Sequence, residues 1–155
     1  MSRISKTLEV VAEVIQNILP DAEVMLSYNP EQDLNIVSTK KIFVFIVPDT
    51  VSEEDHNQGG TKWKDVITMT LAVARGIKNT RDCTPEVEEM LDVMENLRDR
   101  LRVKITRGTA IIRGNHTPSR PVYNRDELEE NHLFLGYLLI EARTPGMKNE
   151  HQEAG

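Results

Sequence analysis

Cysteine is all but missing from this 155-residue chain, Cys83 being the only one. No internal disulfide can form, and a zinc site built on cysteines is excluded. Histidine is scarce as well. His56, His116, His132 and His151 include no pair at the i, i+4 spacing that sets two metal ligands on one helix face. Long apolar runs are also lacking. The longest, Ile42–Pro48 and Leu133–Ile140, fall far short of the roughly 20 residues a spanning helix needs. The first residues carry Arg3 and Lys6, and Glu9, Glu13, Gln16 and Asn17 then interrupt the unbroken apolar stretch that a secretory signal requires. Nothing has the spacing of a phosphate-binding loop. Gly59-Gly60-Thr61-Lys62 comes nearest, but it precedes a strand rather than a helix. These absences lead to the expectation of a protein made and used in the cytoplasm, free of cofactor and metal, and not an enzyme.

What is present is the balance of a soluble globular domain, with 39% hydrophobic and 28% charged residues. The length suits one domain, expected over residues 1–143, with a polar tail over 144–155. Lys and Arg total 19 against 25 Asp and Glu, a net charge of -6, which argues against a general nucleic-acid coat.

Periodicity supplies the elements. Ile4, Leu8, Val11, Ile15 and Ile18 make one helical stripe, with Val14 and Leu19 at its margins and Pro20 as the stop. Glu23–Tyr28 and Leu34–Val37 read as short strands parted by Asn29-Pro30. Ile42–Val47 is a clear apolar strand, ended by Pro48-Asp49. Asp49–Lys62 is a long polar loop, the kind that often carries function. Trp63–Ala74 alternates as a strand with one oily face. Thr84-Pro85 opens a second helix, with Thr84 as its cap and Val87, Met90, Leu91, Met94, Leu97 and Leu101 as its buried stripe. Val103–Ile105 and Ala110–Ile112 read as short strands, Gly114–Pro121 as turn-rich, Tyr123–Asn131 as an acidic short helix, and Leu133–Ala142 as a closing strand. The order helix, strands, helix, strands predicts an α+β fold, a single domain with an antiparallel sheet flanked by two main helices.

Charge is segregated along the chain. Glu86–Asp99 holds six acidic residues and one basic one. Arg100–Arg120 then holds six basic residues and no acidic one. Patches of opposite sign suit contact between identical subunits. They equally suit ordinary surface ion pairing, and the basic stretch could contact nucleic-acid phosphates. The cluster Asp126, Glu127, Glu129, Glu130 reads as a solvated face. Glu53-Glu54-Asp55-His56 reads as a solvated loop rather than a cation site.

The amphipathic first helix, the strand ending in Val47-Pro48, the polar loop, Trp63-Lys64-Asp65-Val66-Ile67, the Thr84-Pro85 helix and the closing Phe134-Leu135-Gly136-Tyr137-Leu138-Leu139-Ile140 follow in that order. This layout resembles the tail terminator proteins of long-tailed bacteriophages, also called tail completion or head–tail joining proteins, over roughly Ser5 to Ala142. Other small phage neck and tail-tube proteins share a related layout. The resemblance implies a virion protein in a hexameric ring on the last ring of the tail tube. There it stops polymerisation and meets the neck. Its partners would be copies of itself, the tail tube protein and a neck or head–tail connector protein, with DNA passing through the lumen without specific binding and no membrane contact. No catalytic residue is carried over. The residues expected to meet a neighbouring subunit or ring are Glu53, Glu54, Asp55 and Lys62 in the long loop, and Arg102, Arg107, Arg113 and Arg120 in the basic stretch.

Overall fold

The computed structural model describes residues 3–55, 63–102, 105–107, 110–116 and 122–145. The elements run α1 (Arg3–Ile18), β1 (Glu23–Leu26), α2 (Pro30–Asp33), a 3-10 turn (Leu34–Ile36), β2 (Phe43–Asp55), β3 (Trp63–Gly76), α3 (Thr84–Arg102), β4 (Ile105–Arg107), β5 (Ala110–His116), α4 (Arg125–Asn131) and β6 (Leu133–Pro145). The strands form one six-stranded sheet in the order β1-β2-β3-β6-β5-β4, so the fold is α+β. No described helix is long and apolar enough to cross a membrane.

The sheet is mixed, which corrects the expectation of a wholly antiparallel one. β1 runs parallel to β2, with Glu23 level with Phe43 and Leu26 level with Ile46. The remaining neighbours are antiparallel. The cause lies in residues 27–42. They form a crossover and not a hairpin, so the chain returns to the start of β1 before entering β2. Leu34–Val37, expected as a strand, is mostly the 3-10 turn of this crossover, with Val37 N–H donating to the Leu34 carbonyl at 3.2 Å. Leu34 and Val37 instead pack, half-buried, on Phe43, Phe45, Ala72, Ala74 and Leu135, forming a small cluster on one face of the sheet.

The larger core lies on the opposite face. Strand alternation sends Val44 and Ile46 of β2, Ile67, Met69, Leu71 and Val73 of β3, and Phe134, Leu138, Ile140 and Ala142 of β6 into it. Leu8, Val11, Val14 and Ile15 of α1 and Val87, Met90, Met94, Leu97 and Leu101 of α3 join the same cluster. The α1 stripe is rotated slightly from the expected one: Val14 is buried, while Ile4 and Ile18 are only partly so. α1 ends at Ile18, two residues before Pro20, with Gln16 Nε2 donating to the Ala22 carbonyl at 2.8 Å.

The start of α3 is tied to the end of β3 by two glutamates. Glu86 accepts the Lys78 and Asn79 N–H groups, each at 2.9 Å. These backbone donors, first Lys78 and then Asn79, hold its carboxyl below the ordinary 4.5. Glu89 takes both arms of the Arg75 guanidinium, at 3.0 and 3.1 Å, and this pairing lowers its pKa as well. A carboxyl depressed in the folded state stabilises the fold above its unfolded value, and that contribution disappears as pH falls through the folded value. The melting temperature should therefore fall as pH drops below 4.5. Thermal melts of a Glu86→Gln, Glu89→Gln double variant should show a flatter acid limb, and an unchanged limb would assign the acid sensitivity elsewhere. The helix begins one residue earlier than expected. Val87 N–H bonds the Cys83 carbonyl at 2.9 Å, so Cys83 and not Thr84 holds the cap position.

Candidate functional site

Pro48-Asp49 does not end β2, contrary to the sequence expectation. The strand continues to Asp55 through a bulge, where the register with β3 passes from Pro48–Met69 to Thr50–Thr68 and leaves Asp49 as the extra residue. The exposed Asp49 carboxylate is fixed by the Thr70 hydroxyl, which donates to Oδ2 at 2.7 Å. Asp49 thus pins the bulge to the neighbouring strand.

β1 covers β2 only over Phe43–Ile46, and the last main-chain bond on that side runs from Ser27 N–H to the Ile46 carbonyl at 2.9 Å. From Val47 to Asp55, no described strand pairs with the outer side of β2. The Ile46 carbonyl faces that outer side, so by strand alternation the missing N–H of Pro48 faces it too. Proline is tolerated in a sheet at such an edge position. Val51, further along, is 42% exposed.

An open cleft of about 410 Å³ lies against this edge. Ile4 and Ser5 at the start of α1 form one wall, Tyr28 after β1 another, and Pro48–Val51 the floor. Tyr28 is 67% exposed, so the cleft presents its ring beside Ile4, Pro48 and Val51, with the Asp49 carboxylate among them. Ser27, buried beneath, donates to Asp33 Oδ2 at 2.6 Å and holds the Tyr28 segment to the crossover.

The described candidate residues fall on three strands and one helix. Glu53, Glu54 and Asp55 close β2, in register with Asp65, Lys64 and Trp63 of β3. Arg107 ends β4 opposite Ala110 of β5, and Arg113 lies in β5 opposite Glu141 of β6. Arg102 is the last residue of α3. Lys62 and Arg120 lie outside the described residues, as do His56 and the second half of the expected loop. Of the described basic candidates, only Arg107 lies on the terminal strand β4, at the opposite end of the described strand order from the β1–β2 side. The cluster Asp126, Glu127, Glu129, Glu130 sits on α4, where Glu127 N–H is capped by the Asn124 side chain at 3.1 Å. Sequence reasoning missed Ile4, Tyr28 and Val51. The usable signal was Pro48-Asp49, which permits an edge strand as well as a stop.

No protein-family model matches this chain, and no curated protein sequence matches it. Among the described residues, no group of three or more His, Cys, Asp or Glu side chains is placed to hold a metal ion. A strand edge offers main-chain donors and acceptors along one line, with side chains alternating on both sides. Such an edge binds an extended segment by strand addition.

Proposed function

We propose that this chain is a structural ring protein of a bacteriophage tail. It caps the head-proximal end of the tail tube, halts tube growth and offers a surface to the neck. The observation that carries this reading is the open edge Val47–Asp55 of β2 together with its cleft. Soluble domains usually blunt or cover so long an edge, because it invites pairing with another chain. Here a proline and a bulge restrict that pairing, and no described strand covers the edge. The element order, which resembles that of tail terminators, supports the same reading. Ending a polymer requires one surface that imitates the subunit contact and another that refuses the next subunit. Shape and charge can do this without chemistry.

Mass photometry and negative-stain images of the purified chain, alone and mixed with polymerised tail tubes, test the reading. The expected result is ring-shaped particles, with tubes closed at one end. A chain that leaves both tube ends bare and does not limit tube length overturns it.

A further inference from the structure

Building on that ring reading, we infer that copies of this chain join edge to edge, the free half of β2 in one copy lying parallel to β4 of the next. Three observations lead to this pairing.

The first is the height of the two edges. Followed across the sheet, Ile105 of β4 is level with Ile112, Ala142, Ile67 and finally Val51 of β2. Thr106 is level with Ile111, Arg143, Val66 and Ser52. Among the described strands, β4 is terminal on one side, and it spans the same rows as the stretch of β2 that β1 does not pair on the other. A sheet extended sideways by a second copy would meet open edge with open edge.

The second is direction. β2, β6 and β4 point the same way, because each is separated from the next by one antiparallel neighbour. Repetition by rotation about an axis running along the strands keeps that direction, so β4 and the next copy's β2 pair in parallel. This is a head-to-tail contact, which closes into a ring when the rotation permits.

The third is charge. The free half of β2 carries Asp49, Glu53, Glu54 and Asp55 and no basic residue. In sequence, Arg100–Arg120 holds six basic residues and no acidic one, with Arg107 in β4 itself and Arg113, level with Glu141 of β6, in the adjacent β5. Pairing β2 with another β2 would set carboxylates against carboxylates, and pairing β4 with β4 would set arginines against arginines. Both two-fold dimers are penalised, and the head-to-tail arrangement alone brings opposite signs together. The same repulsion protects the open edge from indiscriminate self-pairing.

β4 has only three residues, so the strand contact is short and the assembly should be sensitive to concentration and to salt. The test uses Glu53→Lys and Arg107→Glu, with self-association of the chain followed by mass photometry and sedimentation. Each single variant should raise the concentration needed for assembly by about tenfold or more, with an unchanged melting temperature. An equal mixture of the two should restore assembly, because each repels its own kind and complements the other. A Cys83→Ser, Ser52→Cys, Thr106→Cys triple variant provides a second measurement: oxidation should give a ladder of linked copies. The corresponding variants with only one of the two new cysteines should give none. Rings that form normally in both charge variants, or a mixture that fails to restore them, overturn the edge pairing while the capping function stands. A chain that remains monomeric at its highest soluble concentration also overturns the pairing, and the tube-capping assay then decides the function separately.

Discussion

Gly136→Val is expected to destabilise this domain by about 3 kcal/mol or more, at the upper end of what overpacking a core costs. Gly136 sits in β6 level with Val73 of β3 and is bridged on its other side to Tyr123. A Cβ at this position would clash with Met94 Sδ, stand 2.7 Å from Met94 Cε and lie 3.1 Å from the Val122 carbonyl oxygen. Met94 is 1% exposed and surrounded by the main cluster, so its thioether has little space to retreat into. The Val122 carbonyl belongs to main chain held by the bond from Asn124 N–H to the Leu135 carbonyl at 2.8 Å. The glycine is required here for close approach. Gly136→Ala should act in the same direction at about 1–3 kcal/mol. Urea titration measures both. A Gly136→Ala variant as stable as the parent would show that Met94 swings aside freely.

Phe134→Ala should remove about 3–5 kcal/mol, the cost of deleting a buried aromatic ring and leaving a cavity. Phe134 is fully buried in β6, and its ring stacks on Tyr123 with centroids 5.5 Å apart. Against a typical domain stability of about 5–15 kcal/mol, that loss is a large fraction. In a chain of this length it should lower the melting temperature by about 6–20 °C. The control is Val51→Ala on the open edge. It should change monomer stability by no more than about 0.5 kcal/mol, as exposed substitutions do. A Phe134→Ala variant that melts together with Val51→Ala would contradict the burial on which the core description rests.

Much of the larger core was legible because its signal is local. The stripe Met90, Met94, Leu97, Leu101 repeats at helical spacing, and all four side chains are buried. The alternation of Phe134, Leu138 and Ile140 against Leu135 and Tyr137 likewise separates two faces of one strand. The direction of β1 was not legible. Parallel pairing depends on where a crossover returns the chain, and the four apolar-leaning residues Leu34–Val37 are too few to distinguish a strand from a turn. The site was legible only in its charges. Pro48-Asp49 reads locally as a terminator, and only the pairing of Thr50 with Thr68 and the Thr70–Asp49 hydrogen bond make it a bulge inside a longer strand. Tyr28 and Val51 are single apolar residues among polar ones, Val51 inside the stretch read as a polar loop, and nothing local marks either as lining a cleft on a strand edge.

The position of β6 has a consequence for how the molecule is made. It is the last of the six strands to be synthesised, yet it lies inside the sheet between β3 and β5. Until residues 133–145 leave the ribosome, β3 lacks a neighbour on one flank and β5 has only β4 beside it. The nascent chain must stay soluble with those flanks bare, and translation arrested before this point would release a species prone to aggregate.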